Sequence, residues 1–492
     1  MARNDVGIMN IVPIGDNKPQ NKAEPAKLNA AKEALVKAQP KLEHISSEEL
    51  MEAFREEAEL IQTKCHKALD NLETREWFGY VSKVVGLLLE AQLPGAKIGE
   101  MCRIVTDEGV EKMAEVVGFR GETSLMLLLE DGKGVSQGCK VYPTGHTLQI
   151  GVCEELLGRV VDPLGEPMDH RPKPVFEEFR DIEQQAPDSF GRPRIKEVFS
   201  CGVRAVDSTL TFGEGQRIGL FAGSGVGKST LMGMIARYCE SDVNVIALVG
   251  ERGREVQDFI EASLGEEGMK RSVCVIATGD KPAMMRMKCL LTATTIAEYF
   301  RDKGKKVMLM VDSVTRMAMA ARDVGLAVGE PPTMRGYTPS VFSLIPRVLE
   351  RAGKSDKGSI TAIYAVLVEG DDMNEPIADT VRGVLDGHIV LSRKIAVKNH
   401  FPAIDVLASV SRLFPDITTD EQQKLAGEMR NLMAVYAENE DLINIGAYER
   451  GANAEIDKAI ALKSKIDTFL KQGIYEAVPY DQMLQQLRAI FK

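Results

Sequence analysis

The sequence predicts a chain of the α/β fold class, with a small N-terminal β-barrel, a central domain on a parallel sheet, and a C-terminal helical domain. Three observations predict it. Short apolar runs broken by Gly, Pro and Asp fill residues 79–152, as in a small antiparallel barrel. Strand-like and helix-like segments then alternate through residues 153–420, as in a sheet covered by helices on both faces. Residues 421–492 are almost entirely helical in pattern.

The segment before the barrel has two predicted parts. Residues 1–45 mix Pro, Asn, Lys and Ala without periodicity, which predicts a flexible leader. Residues 46–78 are predicted to form an amphipathic helix, because Ser46 and Glu49 make a capping box before an apolar stripe. The stripe consists of Leu50, Phe54, Ala58, Ile61, Cys65, Leu69 and Leu72. It either packs on the next domain or docks a partner helix.

Composition excludes some classes of function. The chain has 492 residues, 44% of them hydrophobic, and a net charge of −11. This charge argues against a nucleic-acid surface over much of the protein, so we expect no nucleic-acid partner. No apolar run approaches the length of a membrane span, and the N-terminus lacks the layout of a signal peptide. We therefore expect a cytoplasmic protein.

The most specific motif is a glycine loop between an apolar strand and an amphipathic helix. It reads A-G-S-G-V-G-K-S, with Ala222 where a first glycine is usual. Its glycines let backbone N–H groups face an anion at the positive end of the new helix. Lys228 is expected to reach the terminal phosphates and Ser229 to hold Mg²⁺. The predicted nucleotide-binding residues are Ala222, Gly223, Ser224, Gly225, Val226, Gly227, Lys228, Ser229 and Thr230.

Two buried strands end in carboxylates that hydrolysis would need. The run before Asp312 places this residue at the carboxyl edge of the sheet, where it is the favoured carboxylate for Mg²⁺. The run at residues 243–250 delivers Glu251, which can orient and polarise the attacking water. We expect the strand before Glu251 to lie beside the phosphate loop. A solvated charge cluster is the alternative for the E-R-G-R-E segment.

Several of these motifs resemble those of a known protein family. F-A-G-S-G-V-G-K-S-T, G-E-R-G-R-E and M-V-D-S-V-T-R resemble the catalytic core shared by rotary ATP synthase subunits and type III protein-export ATPases. Four further stretches are similar to the export branch. They are T-T-I-A-E-Y-F-R-D, A-A-R-D-V-G-L-A, P-S-V-F-S-L-I-P-R-V-L-E-R-A-G and E-N-E-D-L-I-N-I-G-A-Y.

The resemblance implies a RecA-like P-loop ATPase that uses ATP and Mg²⁺. Lys228 and Ser229 take the phosphates and the metal, Glu251 with Arg252 beside it activates water, and Asp312 is the strand-end carboxylate. Phe401 falls where many relatives place a tyrosine on the adenine ring. Arg412 falls on an arginine finger that reaches into the neighbouring subunit. Because one chain holds both the loop and the finger, a homohexamer can complete a site at every interface.

The resemblance also implies a function and partners. The chain is expected to be the ATP-driven motor of type III export, flagellar rather than virulence secretion, at the inner face of the cytoplasmic membrane. Expected partners are a stator-like negative regulator at the N-terminal helix, a central stalk protein, export chaperones and substrates, and the membrane export gate. The alternatives are a catalytic subunit of a rotary ATP synthase, which would sit in a ring with a non-catalytic homologue, and a hexameric RNA translocase, which would need a basic, aromatic N-terminal domain.

Overall fold

The computed structural model describes residues 77–368, 370 and 372–492. The chain divides into two compact units, Met1–Glu76 and Trp77–Lys492, and the described residues all belong to the second. The predicted leader and residues 46–76 of the predicted amphipathic helix lie outside the described residues. Trp77 and Phe78, the last two residues of that prediction, precede the first strand and are not helical.

The first part of the described chain is a closed antiparallel barrel. Its six strands are joined in the order β1-β2-β5-β4-β3-β6. They are β1 (Gly79–Val85), β2 (Leu88–Gln92), β3 (Met101–Val105), β4 (Glu111–Arg120), β5 (Thr123–Leu128) and β6 (Lys140–Pro143). The barrel is filled by side chains that alternate inward along these strands, among them Leu89, Ile104 and Met126. The apolar run after β6 forms β7, which pairs outside the barrel.

Thirteen further strands follow among the described residues. They are β7 (Gln149–Val152), β8 (Val160–Val161), β9 (Glu178–Asp181), β10 (Val198–Phe199), β11 (Phe212–Gly213), β12 (Arg217–Ala222), β13 (Val243–Val249), β14 (Ser272–Ala277), β15 (Lys306–Asp312), β16 (Gly353–Lys354), β17 (Ser359–Leu367), β18 (Gly387–Leu391) and β19 (Val410–Ser411). Nine of them form one sheet in the order β19-β18-β12-β17-β15-β13-β14-β8, with β16 paired to β17. The sheet is parallel except at β16 and β19.

Helices cover both faces of the sheet, and separate helices form the C-terminal domain. The central helices are α1 (Arg204–Thr209), α2 (Lys228–Tyr238), α3 (Gly253–Asp258), α4 (Gly265–Lys270), α5 (Ala283–Asp302), α6 (Val314–Val328), α7 (Pro339–Leu349), α8 (Pro376–Val384), α9 (Arg393–Val397) and α10 (Phe414–Ile417). The C-terminal helices are α11 (Asp420–Asn444), α12 (Ala454–Leu470) and α13 (Tyr480–Ile490). The barrel, parallel sheet and helical domain that the sequence predicts are all confirmed.

The hydrophobic cores explain how these parts hold together. One core lies between the sheet and helices α5 to α8. The core on the other face contains α2 and extends into the C-terminal helices through Met429, Phe469 and Leu487. The C-terminal domain therefore packs on the same side of the sheet as the helix that follows the glycine loop. Among the described residues, no helix has both the length and the apolarity that a membrane crossing requires.

Candidate functional site

The glycine loop joins the carboxyl end of β12 to the start of α2. Gly225 and Gly227 have φ angles of 77° and 90°, a left-handed conformation that other residues adopt at a cost. Gly227 is the N-cap of α2, so the first free N–H groups of this helix face the loop. The fold thus produces locally the anion cradle that the sequence predicts.

The loop forms one wall of a cavity of about 630 Å³. Of the predicted loop residues, Val226 alone does not line it, because its side chain is 1% exposed and packs in the core beneath. The predicted residues that line the cavity are Ala222, Gly223, Ser224, Gly225, Gly227, Lys228, Ser229, Thr230, Glu251 and Arg252. The structure therefore brings both segments of the sequence prediction to one opening.

Lys228 and Asp312 form an ion pair at the base of the loop. Both side chains are largely buried, with 11% of the lysine side chain and 5% of the aspartate side chain exposed. β15 ends at Asp312, so the strand delivers the carboxylate as the sequence analysis expects. In this arrangement Lys228 has an internal partner that phosphate oxygens would replace.

Glu251 lies just after β13, with 7% of the residue exposed. Burial, followed by a hydrogen bond with Glu255 and the charge of Asp312, raises its pKa to about 7. A carboxyl group with this pKa exchanges protons near neutral pH, as a general base must. The general-base role of Glu251 stays a prediction, with which this pKa is compatible.

Arg316 on α6 holds Glu251 in place. Its guanidinium lies 2.9 Å from a carboxylate oxygen of Glu251 and also donates to the carbonyl of Gly250. A Cβ on Gly250 would lie 3.0 Å from Cδ of Arg316, so a glycine at that position leaves room for the arginine stem. Arg316 thus fixes both the side chain and the backbone that present the carboxyl group to the cavity.

One expectation about the sheet is wrong. The strand before Glu251 does not lie beside the phosphate-loop strand, because β17 and β15 lie between β12 and β13. Crossover connections insert these later strands into the middle of the sheet, so neighbours in sequence are not neighbours in the sheet. Glu251 still reaches the cavity, because all four strands are parallel and end at the same edge.

Phe401 lies beside the loop and outside the cavity wall. A Cβ built on Gly227 would be 3.6 Å from the Phe401 ring, and the ring is part of a residue that is 42% exposed. Phe401 therefore presents an open aromatic surface next to the start of α2. An aromatic face in this position can stack on a planar base.

Arg412 lies at the opposite edge of the sheet from the loop. Ser411 pairs with Gly387, and Gly387 is aligned with Ile218 at the start of β12. The loop begins after Ala222, about 13 Å further along the strand at ~3.3 Å per residue. Arg412 is exposed and lines a separate cavity of about 330 Å³ with Asp379, Arg382 and His388. The fold therefore directs Arg412 away from the loop of its own chain.

Six residues that line the cavity are not among the predicted site residues. They are Glu255, Arg316, Leu367, Val368, Gly370 and Arg393. Two features of the sequence point to some of them. Arg316 closes the M-V-D-S-V-T-R stretch, and Leu367 ends the apolar run that becomes β17. Every residue of β17 but the last is buried, as is typical of a strand in a parallel sheet. A strand parallel to β12 ends at the same edge of the sheet as β12.

Family models match three parts of the chain. The nucleotide-binding domain of the ATP synthase alpha/beta family matches residues 202–411, and the beta-barrel domain of that family matches residues 81–145. The flagellum-specific ATP synthase of Bacillus subtilis (strain 168) is 53% identical over 415 residues, which cover 84% of this chain and 95% of that protein. The chain belongs to the ATP synthase alpha/beta family.

The family has several branches, and the C-terminal part identifies this one. The C-terminal domain model of the type III secretion ATPase EscN matches residues 418–489. The type 3 secretion system ATPase of Xanthomonas euvesicatoria is 46% identical over 435 residues, covering 88% of this chain and 98% of that protein. The structure of assembled EscN from enteropathogenic E. coli matches with a TM-score of 0.80 and 46% identity, over 84% of this chain and all of EscN. The chain is an ATPase of the flagellar and type III secretion branch.

Proposed function

We propose that this chain hydrolyses ATP at sites completed between copies of itself and that this activity drives flagellar protein export. One observation carries the first half of the proposal. The phosphate loop and Arg412 lie at opposite edges of one sheet, so each chain offers an incomplete half-site on either side. A ring of identical chains joins these halves at every interface.

Within the site, each side chain has a role that its contacts support. Lys228 leaves Asp312 for the terminal phosphates, whose negative charge competes with the carboxylate. Glu251 orients the attacking water and accepts its proton, while Arg316 holds this carboxyl group. Arg412 of a neighbouring copy neutralises charge on the transferring phosphoryl group, an effect that contributes about 10³ to 10⁵ in rate in comparable enzymes. Arg252 is 84% exposed at its side chain and can turn toward the same phosphates.

The donor set fits Mg²⁺ carried in with the nucleotide. Among the described residues, no group of three or more His, Cys, Asp or Glu side chains could hold a metal alone. Mg²⁺ normally takes one or two protein oxygens and completes its shell with phosphates and water. The hydroxyl of Ser229, which lines the cavity, and the carboxylate of Asp312, which pairs with Lys228, would supply these two oxygens. The metal would supply charge neutralisation on the phosphates. Phe401 would stack on the adenine at the far side of Gly227.

The resemblance to solved assemblies supports a homohexamer and a stalk partner. EscN, 46% identical to this chain, has been solved in its assembled form, and again in complex with its central stalk EscO. We propose a central stalk protein for this chain as well. The remaining partners are proposed from the family resemblance: export chaperones and substrates, the membrane export gate at which the ring works from the cytoplasmic side, and a stator-like regulator on residues 46–78.

Flagellar export is proposed over virulence secretion because the flagellum-specific relative from Bacillus subtilis is 53% identical, against 48% and 46% for two type 3 secretion system ATPases. The flagellum-specific ATP synthases of Bacillus subtilis and Treponema pallidum are 53% and 48% identical to the chain. The SPI-2 type 3 secretion system ATPase of Salmonella typhimurium is 48% identical as well, so the two systems share the core chemistry.

The test replaces the chromosomal copy with Glu251→Gln and measures both export and assembly. We expect the variant to bind ATP and to co-purify with flagellar export components, while flagellar structural proteins disappear from the culture medium. Retained ATPase activity would overturn the catalytic assignment. Loss of virulence effectors with normal motility would instead assign the chain to virulence secretion.

A further inference from the structure

The connection between the last two helices contains a buried polar residue. α12 ends at Leu470 and α13 begins at Tyr480, and Gln472 between them is 6% exposed. A buried amide remains favourable only when its hydrogen-bonding groups are satisfied. The partners of Gln472 therefore show what this residue holds together.

Gln472 bonds to three separate parts of the chain. Its backbone N–H donates to the carbonyl of Phe401 at 3.0 Å. Its side-chain oxygen accepts from the backbone N–H of Arg204 at 2.8 Å. Its side-chain nitrogen donates to the carbonyls of Gly202 and Glu476, each at 2.8 Å. Gln472 thus ties the C-terminal domain both to Phe401 and to the start of the central domain.

These partners are connected to both ends of α2, the helix of the phosphate loop. A Cβ on Gly202 would lie 2.5 Å from Cβ of Tyr238, the last residue of α2, so this contact requires glycine. Arg237 donates to the carbonyl of Ile474 at 2.7 Å, two residues after Gln472. At the other end of α2, Gly227 lies beside the Phe401 ring. The same connection therefore sets the position of Phe401 relative to α2.

We propose that Gln472 is a positioning residue for base recognition, which fixes the Phe401 ring beside the phosphate loop. The proposal rests on the proposed function, because it takes the Phe401 ring as the surface that stacks on adenine. Phe401 is 42% exposed, so packing around its ring is incomplete and a hydrogen bond to its backbone has a larger share in holding it. The side-chain bonds of Gln472 in turn orient the N–H that makes this bond.

The test compares a nucleotide with a ligand that has phosphates but no base. Gln472→Leu keeps the backbone N–H and the approximate volume but removes the side-chain bonds. We expect its Kd for MgATP to rise about five- to tenfold, the scale of one base–aromatic stack, with binding of Mg-tripolyphosphate unchanged. The KM for ATP should rise more than kcat falls. Equal weakening of both ligands would overturn the proposal, because it would show general damage to the site.

Three further variants keep the result interpretable. Gln486→Leu removes the 3.3 Å hydrogen bond that the Arg204 guanidinium donates to the side-chain oxygen of Gln486 on α13, and it should leave both affinities unchanged. Gln472→Glu, which keeps the bond to Arg204 but sets a carboxylate against two carbonyls, should reproduce the effect of Gln472→Leu if that variant folds poorly. Adding Gln472→Leu to Phe401→Ala should cause no further loss of ATP affinity, since both act through one ring.

The outcomes separate this proposal from the one on which it rests. If Phe401→Ala leaves the preference for ATP over tripolyphosphate unchanged, the adenine-stacking role of Phe401 fails and the role of Gln472 fails with it. If Phe401→Ala lowers this preference while Gln472→Leu does not, the role of Gln472 fails alone. Additive losses in the double variant would also overturn it.

Discussion

Glu251 is a carboxyl group whose pKa is raised by burial to about 7, close to neutral pH. A general base must be ionised, so the rate is lost as the pH falls through this value. We expect kcat/KM for MgATP to fall about tenfold per pH unit below pH ~7 and to level off above it. The measurement uses saturating Mg²⁺, so that ATP is present as MgATP and its ionisation state stays the same over this pH range. A flat profile between pH 6 and 8 would exclude Glu251 as the titrating base.

Arg316 controls the same ionisation from the neighbouring helix. Its positive charge lowers the pKa of Glu251 against the effect of burial. Arg316→Ala should therefore raise this pKa and shift the acidic limb of the profile to higher pH, besides lowering the maximal kcat/KM. Arg254→Ala is the matched control, because this arginine is exposed and pairs with Asp258 rather than with Glu251. If the acidic limb of the pH profile does not shift in Arg316→Ala, the positioning role of Arg316 is contradicted.

At this scale the sequence predicts some contacts and not others. The loop geometry is predictable because Gly223 to Ser229 act on their immediate neighbours in the chain. The ion pair between Glu251 and Arg316 joins residues far apart in sequence, and a general base can be held by many kinds of partner. The contacts of Gln472 depend on how two domains pack, which periodicity does not describe.

At the scale of elements, a buried lysine joins the barrel to the central domain. Lys288 on α5 is 1% exposed and lies 2.6 Å from Glu115 on β4 and 2.8 Å from Glu183. Burial lowers the pKa of Lys288, but the two carboxylates raise it by more, so the ammonium stays charged. This cluster fixes the barrel on the helices that flank the sheet.

Lys288→Ala should destabilise the junction by about 3 to 5 kcal/mol, because it leaves Glu115 buried without its partner. Lys303→Ala, at the residue that follows the same helix, removes an exposed pair with Glu177 and should leave the unfolding midpoint nearly unchanged. Trp77, the single tryptophan of the chain, lies beside the barrel. Its fluorescence during denaturant unfolding measures the difference in stability between the two variants. Equal midpoints for the two variants would contradict the assigned role.

The elements themselves were largely predictable, and their order in the sheet was not. β13 and β15 are apolar runs that match the strands of the structure closely. The insertion of β17 beside β12 is a property of the crossovers, which local sequence does not encode. For the same reason, the apolar run that forms β7 looks like one more barrel strand until its pairing with β9 is seen.

At the scale of the whole molecule, the division of the site between chains can be tested by mixing. Lys228→Ala damages the loop and Arg412→Ala removes the finger, so each homomeric ring should turn over about 10³-fold or more below wild type. Arg412→Ala should still bind ATP. Mixed rings contain interfaces with an intact loop on one side and Arg412 on the other, and these should recover activity. The measurement is ATPase rate against mixing ratio, and a mixture no more active than its parts would place the finger elsewhere.

The separation of the loop from Arg412 also has a consequence for where in the cell ATP is hydrolysed. On the proposed role of Arg412, a single chain holds the two halves of the site at opposite edges of one sheet and cannot bring them together. Newly made chains are therefore expected to hold nucleotide but remain almost idle while they diffuse. Specific activity should rise faster than linearly with protein concentration, and consumption of fuel would begin only where copies accumulate. On this proposal, assembly of the ring would itself switch hydrolysis on.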